Sequence, residues 1–208
     1  MNNVINFYTK LLEQYGPDDY RNVDWGSKEW QMIRFIVLSR ITDLKNKSIL
    51  DMGCGTGDLY KFFKENIDKD QLNYTGIDIT PNLIKEARKK YPDKEFITAD
   101  FTDWQPNKKY DVVLASGSLT YKLENHEEWL KNIIKKMFDT SNIAVGFNLL
   151  SSYDPGEENH HCLSSEKDTS LYYHARPEEI FSFCKTITPY VTLRHDYLLH
   201  DFTIYLYH

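Results

Sequence analysis

This chain has few cysteines, no excess of positive charge and no long apolar run, and each absence excludes a class of protein. Its three cysteines, Cys54, Cys162 and Cys184, are an odd number with no C-x-x-C pair, which reads as reduced thiols and not as a disulfide framework. Cys162 follows His160 and His161. Adjacent residues seldom reach one metal, and no second ligand pair stands elsewhere, so no metal site is expected. The formal net charge of −6 argues against a phosphate-backbone partner, which needs a concentrated basic face. Lys85, Arg88, Lys89 and Lys90 do cluster, but at helical spacing beside Glu86, as on a solvated face. Unbroken apolar runs are as short as residues 35–38, far below a membrane span, and the first residues lack a basic-then-apolar signal pattern. The expectation is a cytoplasmic protein with neither a nucleic-acid nor a membrane partner, of open oligomeric state.

What the chain does have is a glycine turn. An apolar strand ending in Asp51 and Met52 runs into Gly53-Cys54-Gly55-Thr56-Gly57 and then into a helix starting near Asp58. Glycines at alternate positions remove side chains where a turn is tight and where a ligand lies on bare backbone. The dinucleotide fingerprint G-x-G-x-x-G, counted from Gly53, would need glycine where Asp58 stands. Carboxylates at Asp51 and Asp58 compete for the N–H groups of the helix start and repel a pyrophosphate. The loop therefore suits a nucleoside without phosphates, especially one carrying positive charge. Asp78 closes a second apolar strand 27 residues after Asp51, near the roughly 20-residue offset of a ribose-binding acid. A carboxylate there can accept from two vicinal hydroxyls. Asp100 ends a third strand. Cys54 reads as a small loop residue, with no histidine beside it in sequence.

The pattern D-x-G-x-G-x-G after an apolar strand, with acids closing the next two strands, resembles the class I S-adenosylmethionine-dependent methyltransferases of small-molecule, bacterial type. The resemblance covers residues 49 to 208 and implies strand order 3-2-1-4-5-7-6 with the last strand antiparallel. It also implies S-adenosyl-L-methionine as cofactor, leaving as S-adenosyl-L-homocysteine. The positions it assigns to that cofactor are Asp51, Gly53, Cys54, Gly55, Gly57, Asp78, Ile79, Asp100, Phe101, Ser116 and Gly117. Asp100 would take the adenine amino group, and Phe101 would pack near the ring. After the fourth strand the family's DNA-base enzymes carry Asn/Asp-Pro-Pro-aromatic, and its metal-dependent catechol-type enzymes carry a carboxylate. This chain has Ser116-Gly117-Ser118. What remains is a small-molecule acceptor, most often oxygen, reached by in-line displacement. The rival readings are a non-catalytic methyltransferase-like binding protein and a nicotinamide-dependent oxidoreductase.

Short apolar runs alternate with helical patterns, which predicts a doubly wound, mainly parallel, seven-stranded α/β sheet in one domain over residues 1–208. Strands are expected at 48–52, up to 78, 95–99, 110–115, 142–150, 191–197 and 201–207. A helix over 4–15 precedes a Gly16-Pro17-Asp18-Asp19 turn, and a second is capped by Ser27. Residues 1–45 are expected to cover the site, bringing Tyr8, Trp25, Gln31 or Arg34. Further helices start at the glycine turn, at Thr80-Pro81, at a capping box of Asn125 and Glu128, and over 177–187. The connection over 151–176 is long for an α/β unit and suggests a lid or substrate wall. It holds His160 and His161, while His200 lies in a final hairpin turn that faces the acceptor if the sixth strand is parallel. These three histidines are the candidate bases, because imidazole takes a proton readily near neutrality. A turn histidine paired with Asp196 or Asp201 is the alternative, and an acceptor that is already anionic needs no base.

Overall fold

The computed structural model describes residues 2–67, 72–153 and 171–208. The chain opens with α1 (Asn2–Tyr15), a 3-10 turn (Tyr20–Val23) and α2 (Lys28–Ser39), ahead of β1 (Ser48–Met52). There follow α3 (Asp58–Asn66), β2 (Asn73–Asp78), α4 (Pro81–Lys90), β3 (Glu95–Thr98), β4 (Tyr110–Ala115), α5 (His126–Thr140) and β5 (Ser141–Ser151). The last elements are β6 (His174–Ala175), α6 (Pro177–Cys184), β7 (Val191–Leu198) and β8 (Asp201–Tyr207).

The main path through the sheet is β3-β2-β1-β4-β5-β8-β7. β1 pairs in parallel with both β2 and β4, and β8 is antiparallel to β5 and to β7. The expected order and the antiparallel last strand are therefore present. One strand is additional: β6, two residues inside the expected loop, pairs in parallel with β5. A two-residue strand is too short to show a period in sequence.

Both faces of the sheet are covered. Ile49 and Leu50 of β1 enter opposite apolar clusters, as do Val112 and Val113 of β4, the period-two alternation of a strand buried on both sides. α5 and α6 cover one face through Leu130, Ile134 and Ile180. α2, α3 and α4 cover the other through Leu38, Phe63 and Ile84. Because β2 and β4 flank β1, the chain leaves β1 and β4 in opposite senses, and a crevice opens at their carboxyl ends.

Local chemistry sets most helix starts. Ser27 Oγ accepts from Trp30 N at 3.1 Å. Pro81 occupies the first turn of α4, but Thr80 makes no side-chain cap bond; Asp78 accepts from Thr80 N at 2.7 Å instead. The expected capping box at Asn125 does not form. Asn125 is left-handed at φ 54 and its side chain caps nothing, since the entering turn is tied through Leu123 N to His126 Nδ1 at 3.3 Å. α6 stops at Cys184, short of the expected 187, because Thr186 N and Ile187 N close on Phe183 and Cys184 carbonyls three residues back.

Gly57 turns the chain into α3 at φ +88, and a Cβ there would stand 2.9 Å from the Tyr91 ring. Gly57→Ala should lower the unfolding free energy by about 1–3 kcal/mol, measured as a reduced denaturant midpoint by far-UV circular dichroism. An unchanged midpoint would mean that ring and backbone relax freely.

Candidate functional site

The turn after β1 is held by β2. The Ile77 carbonyl accepts from Gly53 N at 2.7 Å and from Cys54 N at 3.1 Å, and Asp78 Oδ2 accepts from Gly55 N at 3.0 Å. Gly53 lies at φ +73, and a Cβ there would come 2.1 Å from Ser118 Cβ. Ser118 Oγ donates to the Met52 carbonyl at 2.7 Å, and Gly117 N donates to Asn148 Oδ1 at 2.8 Å. These bonds link the ends of β1, β4 and β5 around a cavity of about 1340 Å³, its open mouth included.

Asp51, Gly53, Cys54, Gly55, Asp78, Ile79, Asp100, Phe101, Ser116 and Gly117 all line this cavity. Gly57 does not, because it faces Tyr91 and Phe96 and serves the backbone alone. The Cys54 sulfur packs towards Gly76, in an apolar cluster, and burial pushes its thiol far up. That places it among packing residues rather than nucleophiles.

The electrostatics are one-sided. Asp51 is 1% exposed and accepts from the Tyr74 hydroxyl at 2.5 Å. Burial pushes its carboxyl up to about 7; the Tyr74 bond opposes this, while Asp78 and Asp58 add to it. Burial likewise raises Asp78 against the amides of Thr80 and Gly55, and Asp58 against Lys90. No basic side chain is among the influences on Asp51 or Asp78. Such a cavity favours a cationic guest, which would stabilise the ionised carboxylates.

Beyond β4 the N-terminal segment finishes the cavity. Tyr8, Trp25, Gln31 and Arg34, the side chains that the sequence placed over the site, all line it. The Trp25 ring lies against Gly117, where a Cβ would come within 2.6 Å of it. Arg34 is 1% exposed, donates through Nε to Asp201 Oδ2 at 2.5 Å, and holds its guanidinium carbon 4.4 Å over the Trp25 ring. Asp24 and Tyr172 are hydrogen-bonded to each other and line the cavity; Tyr172 lies in the connection expected to wall the site, while Asp24 is a lining residue that sequence reasoning missed. The only hint was that Asp24 adjoins Trp25-Gly26-Ser27.

The candidate bases fare differently. His200 does not line the cavity: it is 3% exposed, with its ring 4.7 Å from Trp30 and its carbonyl accepting from Ser151 N. The hairpin turn does reach the cavity, but through Asp201. His200, in the turn before β8, stands outside the described lining. His195 turns its Nε2 to the Leu199 carbonyl at 3.0 Å. His160 and His161 lie outside the described residues. Among the described residues no cluster of His, Cys, Asp and Glu suits a metal, and no helix is long and apolar enough to cross a membrane.

A glycine turn at the end of β1, an acid closing β2 and a crevice at the β1–β4 switch define a methyltransferase-type α/β fold. The methyltransferase domain family matches residues 49–138. The trans-aconitate 2-methyltransferase of Klebsiella pneumoniae (strain 342) is 32% identical over 109 residues, 52% of this chain and 42% of the relative, so the chain matches less than half of that protein's length. Among solved structures, the magnesium protoporphyrin IX methyltransferase of Synechocystis PCC 6803 with bound S-adenosylhomocysteine shares the fold. It gives a TM-score of 0.67 at 14% identity, over 99% of this chain and 98% of that one. Haemonchus contortus phosphoethanolamine N-methyltransferase 1, in complex with phosphoethanolamine and S-adenosylhomocysteine, gives 0.70 at 12% identity, over 98% of this chain and 48% of that one. The match to the methyltransferase domain is confined to residues 49–138, and over the whole chain the likeness to methyltransferases is one of fold.

Asp51 generates a pH test. Its folded-state pKa of about 7 lies above the ordinary carboxyl value of 3.8, so the folded protein holds a proton that the unfolded chain has lost across that window. Its contribution to stability is present below about pH 4 and is lost as pH climbs through 7. The Asp51→Asn variant cannot titrate there, while the other carboxylates remain in both proteins. The unfolding free energy of D51N relative to the parent should therefore rise steadily from pH 4 to pH 8 in urea titrations. Parallel pH profiles would show that Asp51 is not perturbed.

Proposed function

We propose that this chain binds S-adenosylmethionine in the cavity and directs its methyl group to a small-molecule acceptor, through oxygen. The observation that carries the reading is the set of carboxylates, Asp51, Asp58 and Asp78, raised by burial around a turn of bare glycine backbone. When bound, the cofactor supplies an electrophilic methyl on a sulfonium. The donor set fits it. Asp78 gives lone pairs to Gly55 N and Thr80 N, and a carboxylate has about four lone-pair sites, which leaves capacity for two ribose hydroxyls. Asp100 would take the adenine amino group, with Phe101, Leu83 and Ile79 supplying apolar walls. Asp51 and the backbone at Gly53, Ser116 and Gly117 would face the amino-acid end. A pyrophosphate would meet Asp58 at the start of α3, which weighs against a dinucleotide.

The acceptor side supports a small molecule. The end of β4 carries Ser116-Gly117-Ser118 in place of a base-flipping motif, and the named relatives act on trans-aconitate, magnesium protoporphyrin IX and phosphoethanolamine. An oxygen that arrives anionic needs no base, which agrees with a described lining that holds no histidine. The chain's work is then alignment and exclusion of water. Calorimetry with S-adenosylhomocysteine tests the reading. The parent should bind it and ignore NAD, and Asp78→Ala should weaken binding by about 2–3 kcal/mol, the scale of charge-assisted bonds to two hydroxyls. Tight NAD binding with no response to the sulfur nucleoside would overturn it.

A further inference from the structure

Arg34 has more donors than the protein uses. It is among the largest fully buried side chains, and its Nε alone is spent on Asp201. Asp201 also accepts from the Tyr197 hydroxyl. Nη1 and Nη2 are buried and have no hydrogen-bond partner among the described residues. Unpaired buried donors are unfavourable and rare, and those of a cation are the most costly. The side chain cannot simply swing out. Its guanidinium lies over the Trp25 ring at 4.4 Å, and that ring is itself pressed on Gly117. Arg34, Trp25 and Asp201 all line the cavity, so the open end of the guanidinium belongs to whatever fills it.

The position and the charge balance identify the guest. Asp201 opens β8 opposite Leu150 of β5, two strands beyond β4. At roughly 4.8 Å per strand this is about 10 Å past β4, away from Asp78 and Asp100 at the ends of β2 and β3. The guanidinium itself reaches back over Trp25 towards Gly117, which under the reading above is the sulfonium end of the cavity, where the acceptor meets the methyl group. Arg34 is also the only basic residue in the described lining, whose other charged members are Asp24, Asp51, Asp58, Asp78, Asp100 and Asp201. One guanidinium among acids matches a monoanion better than a doubly charged phosphate. Two parallel N–H donors on a planar head are the bidentate partner of a carboxylate.

We propose that the methyl acceptor carries a carboxylate, gripped end-on by Nη1 and Nη2 of Arg34, which makes the substrate a small organic acid. Arg34 is then a specificity-determining residue, and Asp201 and Trp25 hold its head at the right angle. The proposal rests on the cofactor reading, and the test separates the two.

The probes are acetate and benzoate, with acetamide and benzamide as neutral controls, titrated into the full chain saturated with S-adenosylhomocysteine. Side-chain nitrogen NMR follows the Arg34 Nη signals, assigned by their loss in Arg34→Lys. The expected result is a saturable shift with the acids, none with the amides, and acid affinity lowered about 10- to 100-fold in R34K, the span of hydrogen bonds to a charged group. S-Adenosylhomocysteine affinity should stay within about threefold. No shift with either acid overturns the proposal. So does an R34K variant that loses S-adenosylhomocysteine affinity yet binds 5′-methylthioadenosine normally, because the guanidinium would then serve the cofactor's own carboxylate. If R34K does not fold, Arg34→Gln supplies both the assignment by signal loss and the comparison of acid affinities. Failure of S-adenosylhomocysteine itself to bind would defeat the cofactor reading as well.

Discussion

One peptide carbonyl organises the cavity. Ile77 O, near the end of β2, receives amide protons from both Gly53 and Cys54, which bends the chain leaving β1 across its neighbour before α3 can begin. That bend leaves Gly53 no volume for a side chain beside Ser118. It also brings Gly55 N onto Asp78. The acid closing β2 is thus bound into the turn closing β1, and the distance between Asp78 and Asp51 is set by adjacent parallel strands. Strand spacing is among the least variable dimensions in proteins, so little of this geometry depends on loops.

The second constraint is charge. The Rossmann-like body contributes carboxylates to the cavity, while the one basic lining side chain in the described residues comes from α2. The division separates two binding tasks along the sheet. On the proposed reading a cation would sit over β1 and β2, where burial has raised the acids, and an anion towards β5 and β8, where Arg34 has donors to spare. A methyl-transfer site needs both, since a sulfonium must face an electron-rich acceptor.

Much of the fold could be read in advance wherever short-range chemistry decides. The strands at 48–52 and 110–115 are apolar runs bounded by turn residues, and the structure keeps those limits. Ser27 caps α2 as its residue type implies. The misses share a cause. Asp24 meets Tyr172 across 148 residues, and Arg34 meets Asp201 across 167; no local pattern encodes such pairings. His200 looked apt because imidazole chemistry suits the task. Orientation was decided instead by the register of β8 on β5, which turns Asp201 inward. Asn125 failed as a cap because its backbone went left-handed, a choice made by the turn before it.

The anchoring of α1 has its own consequence. That helix contains no buried residue, although Val4 and Tyr8 face the cavity and Phe7 and Tyr8 touch the Tyr121 ring. α2, by contrast, buries Gln31, Arg34, Phe35, Val37 and Leu38. These two of the helices that wall the cavity thus sit at opposite ends of the local-stability scale. Undocking α1 exposes only side chains that are already half in solvent, whereas moving α2 would tear the core and strand the Arg34–Asp201 pair. Opening at α1 is therefore the cheaper of the two ways to expose the cavity. The amides of that helix will trade hydrogen with water long before those of β1 do.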